Sequence, residues 1–225
     1  MATYTSETIL GDVITADPSR TRILDRFGID YCCHGQRPIG AACNEAQIDV
    51  DEVLTALNGE VPGPRADWAD MADAALIEHI VDTHHRFLWD EFPRMSALVD
   101  KVARVHGDNH PELGQVRDTF GELREKVEPH LRTEESMIFP ELRTRGDAAV
   151  SAELRTALEQ NMKQHDIAGE LLAELRELTS GYAVPSDACG SYTAMLAGLE
   201  EIESDLHLHV HKENNVLFPR ALATV

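Results

Sequence analysis

Histidine and glutamate recur in this sequence in a pattern that could bind metal ions. His130 and Glu134 are four residues apart and lie shortly before Met-Ile-Phe-Pro, and His209 and Glu213 repeat this spacing before Val-Leu-Phe-Pro. Residues four apart on an α-helix share one face, so each pair can reach one metal region. Two copies with the same Phe-Pro tail indicate a duplicated half-site, whereas a single pair would be typical of a helix surface.

A further histidine precedes each copy at nearly the same distance. His85 lies 45 residues before His130, and His165 lies 44 residues before His209. The pattern predicts one histidine on each of two helices and a His-xxx-Glu pair on each of two others, related by a two-fold axis. The predicted metal ligands are His85, His130, Glu134, His165, His209 and Glu213.

This set of four histidines and two glutamates fits two iron ions better than it fits other metal sites. Neutral imidazoles suit terminal positions, and carboxylates can bridge two ions. Structural zinc prefers a closed shell of four ligands. A single iron with two histidines and one carboxylate would leave half of the set without a role. We therefore predict two non-haem iron ions, bridged by carboxylates and by oxide, with room for water or a small diatomic molecule.

Two other histidines are weaker candidates. On a near-continuous helix, His106 would lie about 31 Å from His85, too far for one binuclear site. The next helix, returning antiparallel, would bring His130 level with His85. The side chain of His84 points about 100° away from that of His85, and the matched spacing favours His85 only slightly.

A vicinal cysteine pair, Cys32 and Cys33, is the second group that could do chemistry. Exposed thiols on a turn can bind iron or exchange disulfides, whereas a single cysteine is often a small buried hydrophobic residue. Two adjacent cysteines favour a redox or iron-transfer role. A disulfide between neighbours is strained, which fits a reducing compartment.

The elements that must position these side chains are predicted to be helices. Aromatic residues make up only 5% of the chain, and abundant Ala, Leu and Glu favour helices over sheets. Short connections between long helices predict an antiparallel up-down four-helix bundle, with kinks near Pro93 and Pro129. The predicted helices run over about 73–105, 111–145, 150–179 and 186–212, the last of which can extend beyond Glu213.

The N-terminal part of the chain predicts a separate unit of short helices. Asp17-Pro18 is a typical helix start, and Gly28 predicts the end of that helix. A further short helix is predicted over about 49–57, and a stretch rich in glycine and proline then predicts a linker. The expected organisation is a small helical domain over 1–57, a linker over 58–66 and the bundle over 67–225.

Charge and hydropathy exclude two classes of partner. The 40 acidic and 20 basic residues give a net charge of −20, which repels phosphate backbones and predicts no nucleic-acid partner. The sequence has no run of 18 apolar residues, and its N-terminus lacks a signal pattern. We therefore predict a cytoplasmic protein with no membrane partner.

Three segments together resemble the repair-of-iron-centres family (RIC, YtfE and ScdA). They are Asp-Tyr-Cys-Cys at 30–33, Arg-Val-His at 104–106 and Glu-Asn-Asn-Val-Leu-Phe-Pro-Arg-Ala-Leu at 213–222, and the resemblance covers nearly the whole chain. It implies a small N-terminal domain with the cysteine pair, followed by a hemerythrin-like di-iron bundle whose ligands fall on the six residues named above. It also implies a homodimer that repairs iron–sulfur proteins damaged by nitric oxide or oxidants, by iron donation.

The chain departs from the family pattern at two positions. The usual Cys-Cys-Gly-Gly is Cys32-Cys33-His34-Gly35 here, so His34 can add a ligand or a proton donor. The acidic residue expected before the histidine of the third helix is Gln164 here. If that carboxylate helps iron leave the site in the family, the route or rate of iron release is expected to differ in this chain.

Two alternative functions stay open at this point. One is a hemerythrin-type protein that binds or senses oxygen or nitric oxide, for which the cysteine pair would be unnecessary. The other is an enzyme that reduces nitric oxide or peroxide at the same centre. An iron store is disfavoured, because a chain of this size has no cage unless it forms a shell.

Overall fold

The computed structural model describes residues 3–59, 68–146 and 148–223. Within these ranges the regular structure is helical, with one isolated β-bridge between Ile9 and Pro38 and no strand. The all-α prediction is confirmed. Most of the predicted linker, residues 60–66, lies outside the described residues.

The chain divides into two compact units, and each has its own hydrophobic core. The units are discontinuous in sequence and do not test the predicted domain limits, which stay a prediction. The first unit comprises Met1–Ile77, Arg145–Val150 and His207–Val225, and the second comprises Glu78–Thr144 and Ser151–Leu206.

Four short helices lie in the N-terminal part of the first unit. Their apolar faces meet around fully buried residues such as Leu10, Leu24 and Ile39. The helices are α1 (Leu10–Ala16), α2 (Thr21–Arg26), α3 (Ile39–Glu45) and α4 (Val50–Asn58).

Local capping sets the ends of two of these helices as the sequence predicts. Asp17 accepts a hydrogen bond from the Ser19 N–H at 3.2 Å and begins a short 3₁₀ turn that leads into α2. Gly28 follows α2 at a φ of +64°, a conformation that glycine adopts without steric cost. The Asp49 side chain caps α4 by accepting from the Asp51 N–H at 2.9 Å.

Four long helices supply the core of the second unit, which confirms the predicted helical bundle. Phe92 and Phe120 pack edge to face with their ring centroids 6.0 Å apart, and Leu172 and Met195 join the same buried cluster. The second unit also contains the short helix α8 (Phe139–Thr144), whereas α11 (Phe218–Ala223) and most of α5 (Asp73–Ile80) belong to the first unit. The long helices are α6 (Arg86–His106), α7 (Glu112–Thr133), α9 (Ala152–Leu178) and α10 (Gly190–Lys212).

Three π-helical segments interrupt the long helical runs. They are π1 (Val81–His85), π2 (Glu134–Ile138) and π3 (Glu213–Leu217). Pro93 and Pro129 lie inside α6 and α7, and the kinks predicted there stay a prediction. Short π segments inside α-helices are frequent at functional sites.

No described helix combines the length and the apolar composition that crossing a membrane requires.

Candidate metal centre

The second unit brings three of the predicted histidine ligands together around the buried carboxylate of a fourth predicted ligand, Glu134. His85 closes π1 and Glu134 opens π2. His130 lies in the last turn of α7, and His165 lies in α9. Glu134 Oε2 is 3.4 Å from His85 Nε2, and Glu134 Oε1 is 3.2 Å from His130 Nε2 and 4.0 Å from His165 Nε2. All four side chains are buried.

Two of these imidazoles face each other at a distance that suits a shared cation. His130 Nε2 and His165 Nε2 are 3.1 Å apart, and their rings are inclined by 70°. Two nitrogens bound at about 2.1 Å in neighbouring octahedral positions of one ion lie about 3 Å apart. Imidazole nitrogens beside a carboxylate are a donor set that iron accepts, so the residues of this cluster fit an iron ion.

Glu135 sets the orientation of the His85 ring. Its Oε1 atom lies 2.9 Å from His85 Nδ1 and accepts a hydrogen bond from Trp89 Nε1 at 3.0 Å. Because an ionised carboxylate only accepts hydrogen bonds, Nδ1 of His85 carries the proton and Nε2 presents its lone pair towards Glu134. An outer carboxylate of this kind makes a metal-binding histidine more basic.

Gln164 holds the ring of His130 in the same way. Its Oε1 atom is 2.8 Å from His130 Nδ1, which leaves the Nε2 lone pair of His130 for the cluster. The family resemblance predicts an acidic residue here, whereas this chain has a neutral amide. The amide oxygen is the weaker acceptor, so His130 is expected to be a less basic ligand than His85.

The first unit holds the other two predicted ligands. His209 lies in the last turn of α10, and Glu213 opens π3. His209 Nε2 and Glu213 Oε1 are 3.0 Å apart, and the side chains are 1% and 0% exposed. A carboxylate buried this deeply needs a proton, a cation or strong hydrogen bonds to stabilise it. This pair is therefore a candidate for metal binding as well.

The Phe-Pro tails of the two sequence copies mark the π segments that open with the glutamates. The Phe139 N–H bonds to the carbonyl of Glu134, five residues earlier, and the Phe218 N–H bonds to Glu213 in the same way. The proline that follows each phenylalanine has no N–H to donate to the preceding turn. This favours the wider turn in which each glutamate stands first.

The weaker histidine candidates lie elsewhere. His84 Nδ1 contacts Asp205 Oδ1 at 2.7 Å, and both residues belong to the second unit. His106 Nε2 lies 3.2 Å from the exposed Cys189 Sγ. Within the described part of the chain, neither histidine belongs to a group of side chains that could hold a metal ion.

The cysteine pair lies on a turn of the first unit. Cys32 is buried and Cys33 is partly exposed, and both thiols are free. Asp30 Oδ1 accepts the N–H groups of Cys32 and Cys33 at 3.0 and 2.9 Å, so the aspartate shapes the turn. His34 Nδ1 lies 2.6 Å from Asp30 Oδ2. The neighbouring Cys33 thiol and burial raise the pKa of Cys32 well above its ordinary value.

Sequence reasoning missed several residues that support these groups. Glu135 is one of many glutamates in its helical run, and Asn215 stands inside the motif at 213–222 that resembles the family. His211 is fully buried, with its ring edge-on to Trp68 at 5.7 Å. The alternating histidines at 207, 209 and 211 were the available signal that this turn of the helix is not solvated.

Two family models match the chain. The hemerythrin HHE cation-binding domain matches residues 76–221, and ScdA_N, a domain of unknown function (DUF542), matches residues 6–60. The first match includes all the predicted histidine and glutamate ligands, and the second includes the cysteine pair. The hemerythrin match and the buried His/Glu clusters together indicate that the chain binds iron.

Full-length relatives agree with these matches. The iron–sulfur cluster repair protein ScdA of Staphylococcus epidermidis is 34% identical over 220 residues, which is 96% of this chain and 98% of that protein. ScdA of Staphylococcus haemolyticus is 33% identical over 219 residues, with 95% and 97% covered. The iron–sulfur cluster repair protein YtfE of Escherichia coli is 30% identical over 215 residues, with 95% and 96% covered. The chain belongs to the repair-of-iron-centres family of ScdA and YtfE proteins, with its hemerythrin-like domain.

Proposed function

We propose that the chain repairs damaged iron–sulfur clusters with iron held by its buried histidines and glutamates. The observation that carries this proposal is the buried carboxylate of Glu134, whose two oxygens lie 3.4 Å from His85 Nε2 and 3.2 Å from His130 Nε2. The first unit holds a second buried pair of the same types, with His209 Nε2 and Glu213 Oε1 3.0 Å apart.

The sequence repeats one histidine and one His-xxx-Glu pair twice, which supports two iron ions with four terminal histidines and two bridging carboxylates. Glu134 and Glu213 are each 0% exposed, and a buried negative charge is stabilised by a cation. Oxide as a further bridge is part of the same proposal.

The histidine and glutamate side chains would bind iron reversibly because of the chemistry of their nitrogen and oxygen donors. Histidine and glutamate ligands are labile compared with thiolates, and they bind a metal ion only when they are deprotonated. Glu135 and Gln164 fix the Nδ1 protons of His85 and His130, which keeps both rings in the tautomer that ligates through Nε2. The iron itself is the cargo that a damaged cluster receives.

The relatives named as iron–sulfur cluster repair proteins favour a repair function over the alternatives of gas binding, gas sensing or reduction of nitric oxide or peroxide. Our proposal extends to three finer points. The partners are iron–sulfur proteins damaged by nitric oxide or oxidants, the chain is a homodimer, and Cys32 and Cys33 take part through redox chemistry or iron transfer. Nitric oxide and oxygen are further candidate ligands of the iron.

Repair can be tested directly with the full chain. The iron content would be measured first, and the iron-loaded protein would then be added to an iron–sulfur enzyme inactivated by nitric oxide. Wild type should restore activity, whereas Glu134→Leu should bind less iron and restore little. Glu122→Leu is the matched control, because Glu122 is an exposed residue of α7.

Two further readings complete the experiment. The double variant Cys32→Ser and Cys33→Ser should keep its iron and lose part of the repair. Circular dichroism should show the same helical content in each variant. If iron-loaded wild type leaves the damaged enzyme inactive, the repair function is wrong, whatever the iron content.

A further inference from the structure

A third group of ligand-type side chains lies outside the proposed iron centre, on the turn that follows α2. Asp30, Cys32 and Cys33 each offer one donor atom, and these atoms all lie within 4.8 Å of one another. All three residues belong to the first unit. The group combines two thiols with a carboxylate, whereas the proposed iron ligands are imidazoles and carboxylates only.

The separation of the two sulfurs is that of two thiolates on one ion. Cys32 Sγ and Cys33 Sγ are 3.8 Å apart. Two thiolates bound tetrahedrally at about 2.3 Å from a zinc ion lie about 3.8 Å apart. A disulfide would need an S–S distance of about 2.05 Å, so the turn holds its sulfurs at a ligand spacing and not at a bonded one.

The carboxylate of Asp30 is placed to be the third ligand of a tetrahedral ion that the two thiolates would bind. Cys32 Sγ donates its hydrogen to Asp30 Oδ1 at 3.3 Å. A thiolate and a carboxylate oxygen on one tetrahedral zinc ion, at about 2.3 and 2.0 Å, lie about 3.5 Å apart. The cation would therefore take the place of a proton that Cys32 and Asp30 already share.

The carboxylate is held in position from both sides. The two backbone N–H groups of the turn bind Oδ1 at 3.0 and 2.9 Å, and His34 Nδ1 lies 2.6 Å from Oδ2. A histidine next to a ligating carboxylate is a common outer partner in metal sites. The departure of this chain from the family pattern at His34 thus adds a group that supports the carboxylate.

The group of Asp30, Cys32 and Cys33 is open to solvent on one side. The side chains of Asp30 and His34 are 35% and 58% exposed, and Cys33 is partly exposed, whereas Cys32 is buried. Cysteines that only filled a core would not face a partly solvated carboxylate. Three protein ligands with an open fourth position are typical of sites that exchange or use their metal, whereas structural zinc sites are closed.

We propose that Asp30, Cys32 and Cys33 bind one thiophilic divalent cation of the Zn²⁺ or Fe²⁺ class. Binding converts both thiols to thiolates, so two protons leave as two metal–sulfur bonds form, and no electron is transferred. The fourth position faces solvent and accepts water or a donor group of a partner. The site does not depend on the repair function, because its ligands and its test are separate from the iron centre.

Cobalt titration of the full chain tests this site. The protein would be loaded with iron first, kept reduced, and titrated with Co²⁺, which forms an intense thiolate-to-cobalt charge-transfer band only with cysteine ligands. Wild type should show this band with one equivalent bound, and Cys33→Ser should lose it. Cys189→Ser is the matched control and should keep it, because the exposed Cys189 lies in the other unit.

A second variant keeps the test valid if a cysteine variant folds poorly. Asp30→Asn retains an oxygen that accepts the two N–H groups but removes the charged ligand. It should weaken Co²⁺ binding by more than the roughly 10-fold loss that follows removal of an outer partner, with the sulfur band retained at saturation. Absence of the band in reduced wild type overturns the proposal, and so does a band that persists in Cys33→Ser.

Discussion

Asn215 donates a hydrogen bond from Nδ2 to the carbonyl oxygen of Cys32 at 2.9 Å. The Oδ1 atom of the same amide accepts from Gln36 Nε2 at 3.0 Å. Asn215 lies in π3, two residues after Glu213. The Asn215 side chain therefore joins the cysteine turn to π3, which begins with the proposed iron ligand Glu213. A shift of π3 would move the cysteine turn.

Replacing Asn215 by alanine should loosen the cysteine turn. The change removes the part-buried bond to Cys32 and the exposed bond to Gln36, and the loss of a typical hydrogen bond costs about 0.5–1.5 kcal/mol of the free energy of unfolding. The accessible thiol of Cys33 should then react faster with an alkylating reagent, as followed by mass spectrometry. Gln36→Ala is the control, because it removes only the exposed bond. Equal labelling rates in wild type and Asn215→Ala would show that Asn215 does not hold the turn.

Gly35 is predicted to tolerate no side chain. A Cβ atom there would meet the carbonyl oxygen of Tyr31 and would lie 2.5 Å from Asn215 Oδ1, so the turn would have to move. Gly35→Ala should lower the free energy of unfolding by about 1–3 kcal/mol. Gly121→Ala is the matched control within α7, where a Cβ meets nothing within 4 Å, and it should raise stability by about 0.5–1 kcal/mol. Urea midpoints that shift equally in both variants would contradict this.

The helices could be predicted because their signals are local. The Asp17 cap, the Gly28 stop and the apolar periodicity each act within a few residues. The π segments could not be predicted in the same way. A turn with one extra residue uses the same residue types as an ordinary helical turn. The repeated Phe-Pro tails follow only π2 and π3, and the sequence alone does not show that proline there accompanies a wider turn.

The site could be predicted to the level of residue types and spacing. Spacing barely separated His85 from His84, whereas packing turns His85 towards Glu134 and His84 towards Asp205. The partners of the ligands could not be predicted at all. Glu135 and Gln164 reach their histidines from other helices, and such contacts depend on how the helices pack.

Removing the charge of Glu135 should weaken iron binding without breaking the bundle. Glu135→Gln keeps an oxygen for His85 Nδ1 and Trp89 Nε1 but makes His85 a poorer ligand, and changes of this kind cost about 10–100-fold in metal affinity. Competition with a chelator measures the affinity. Glu122→Gln, also an acidic residue of this helical run but exposed, should bind iron as wild type does. If both variants bind equally, Glu135 does not tune the centre.

An ion pair between a partly exposed arginine and a buried carboxylate in the second unit should show strong coupling. Arg176 makes two bonds to Glu203, Nε to Oε1 at 3.0 Å and Nη2 to Oε2 at 2.6 Å, and the Glu203 side chain is only 3% exposed. Arg176→Met leaves that carboxylate buried and should cost about 3 kcal/mol, whereas the double variant with Glu203→Leu should be close to wild type. A double-mutant cycle from urea unfolding measures the coupling. Additive losses would mean that the pair is not coupled.

The Cys189 thiol should ionise at a lower pH than an ordinary cysteine thiol. Cys189 precedes α10, and the N–H of Tyr192 together with His106 at 3.2 Å lowers the pKa of its thiol to about 7. Because only the thiolate reacts, alkylation of Cys189 should be slow below pH 7 and rise through pH 7. Peptide mass spectrometry after brief labelling at each pH gives the midpoint for this cysteine alone.

Two comparisons separate the causes of this shift. His106→Gln should move the labelling midpoint upward only in part, because the backbone N–H of Tyr192, the larger cause, remains. Unfolding in urea removes both causes and should bring the midpoint to about 8.5. A midpoint that is the same in folded and unfolded protein would mean that the start of α10 does not stabilise the thiolate. An unchanged midpoint in His106→Gln alone would assign the whole shift to the helix.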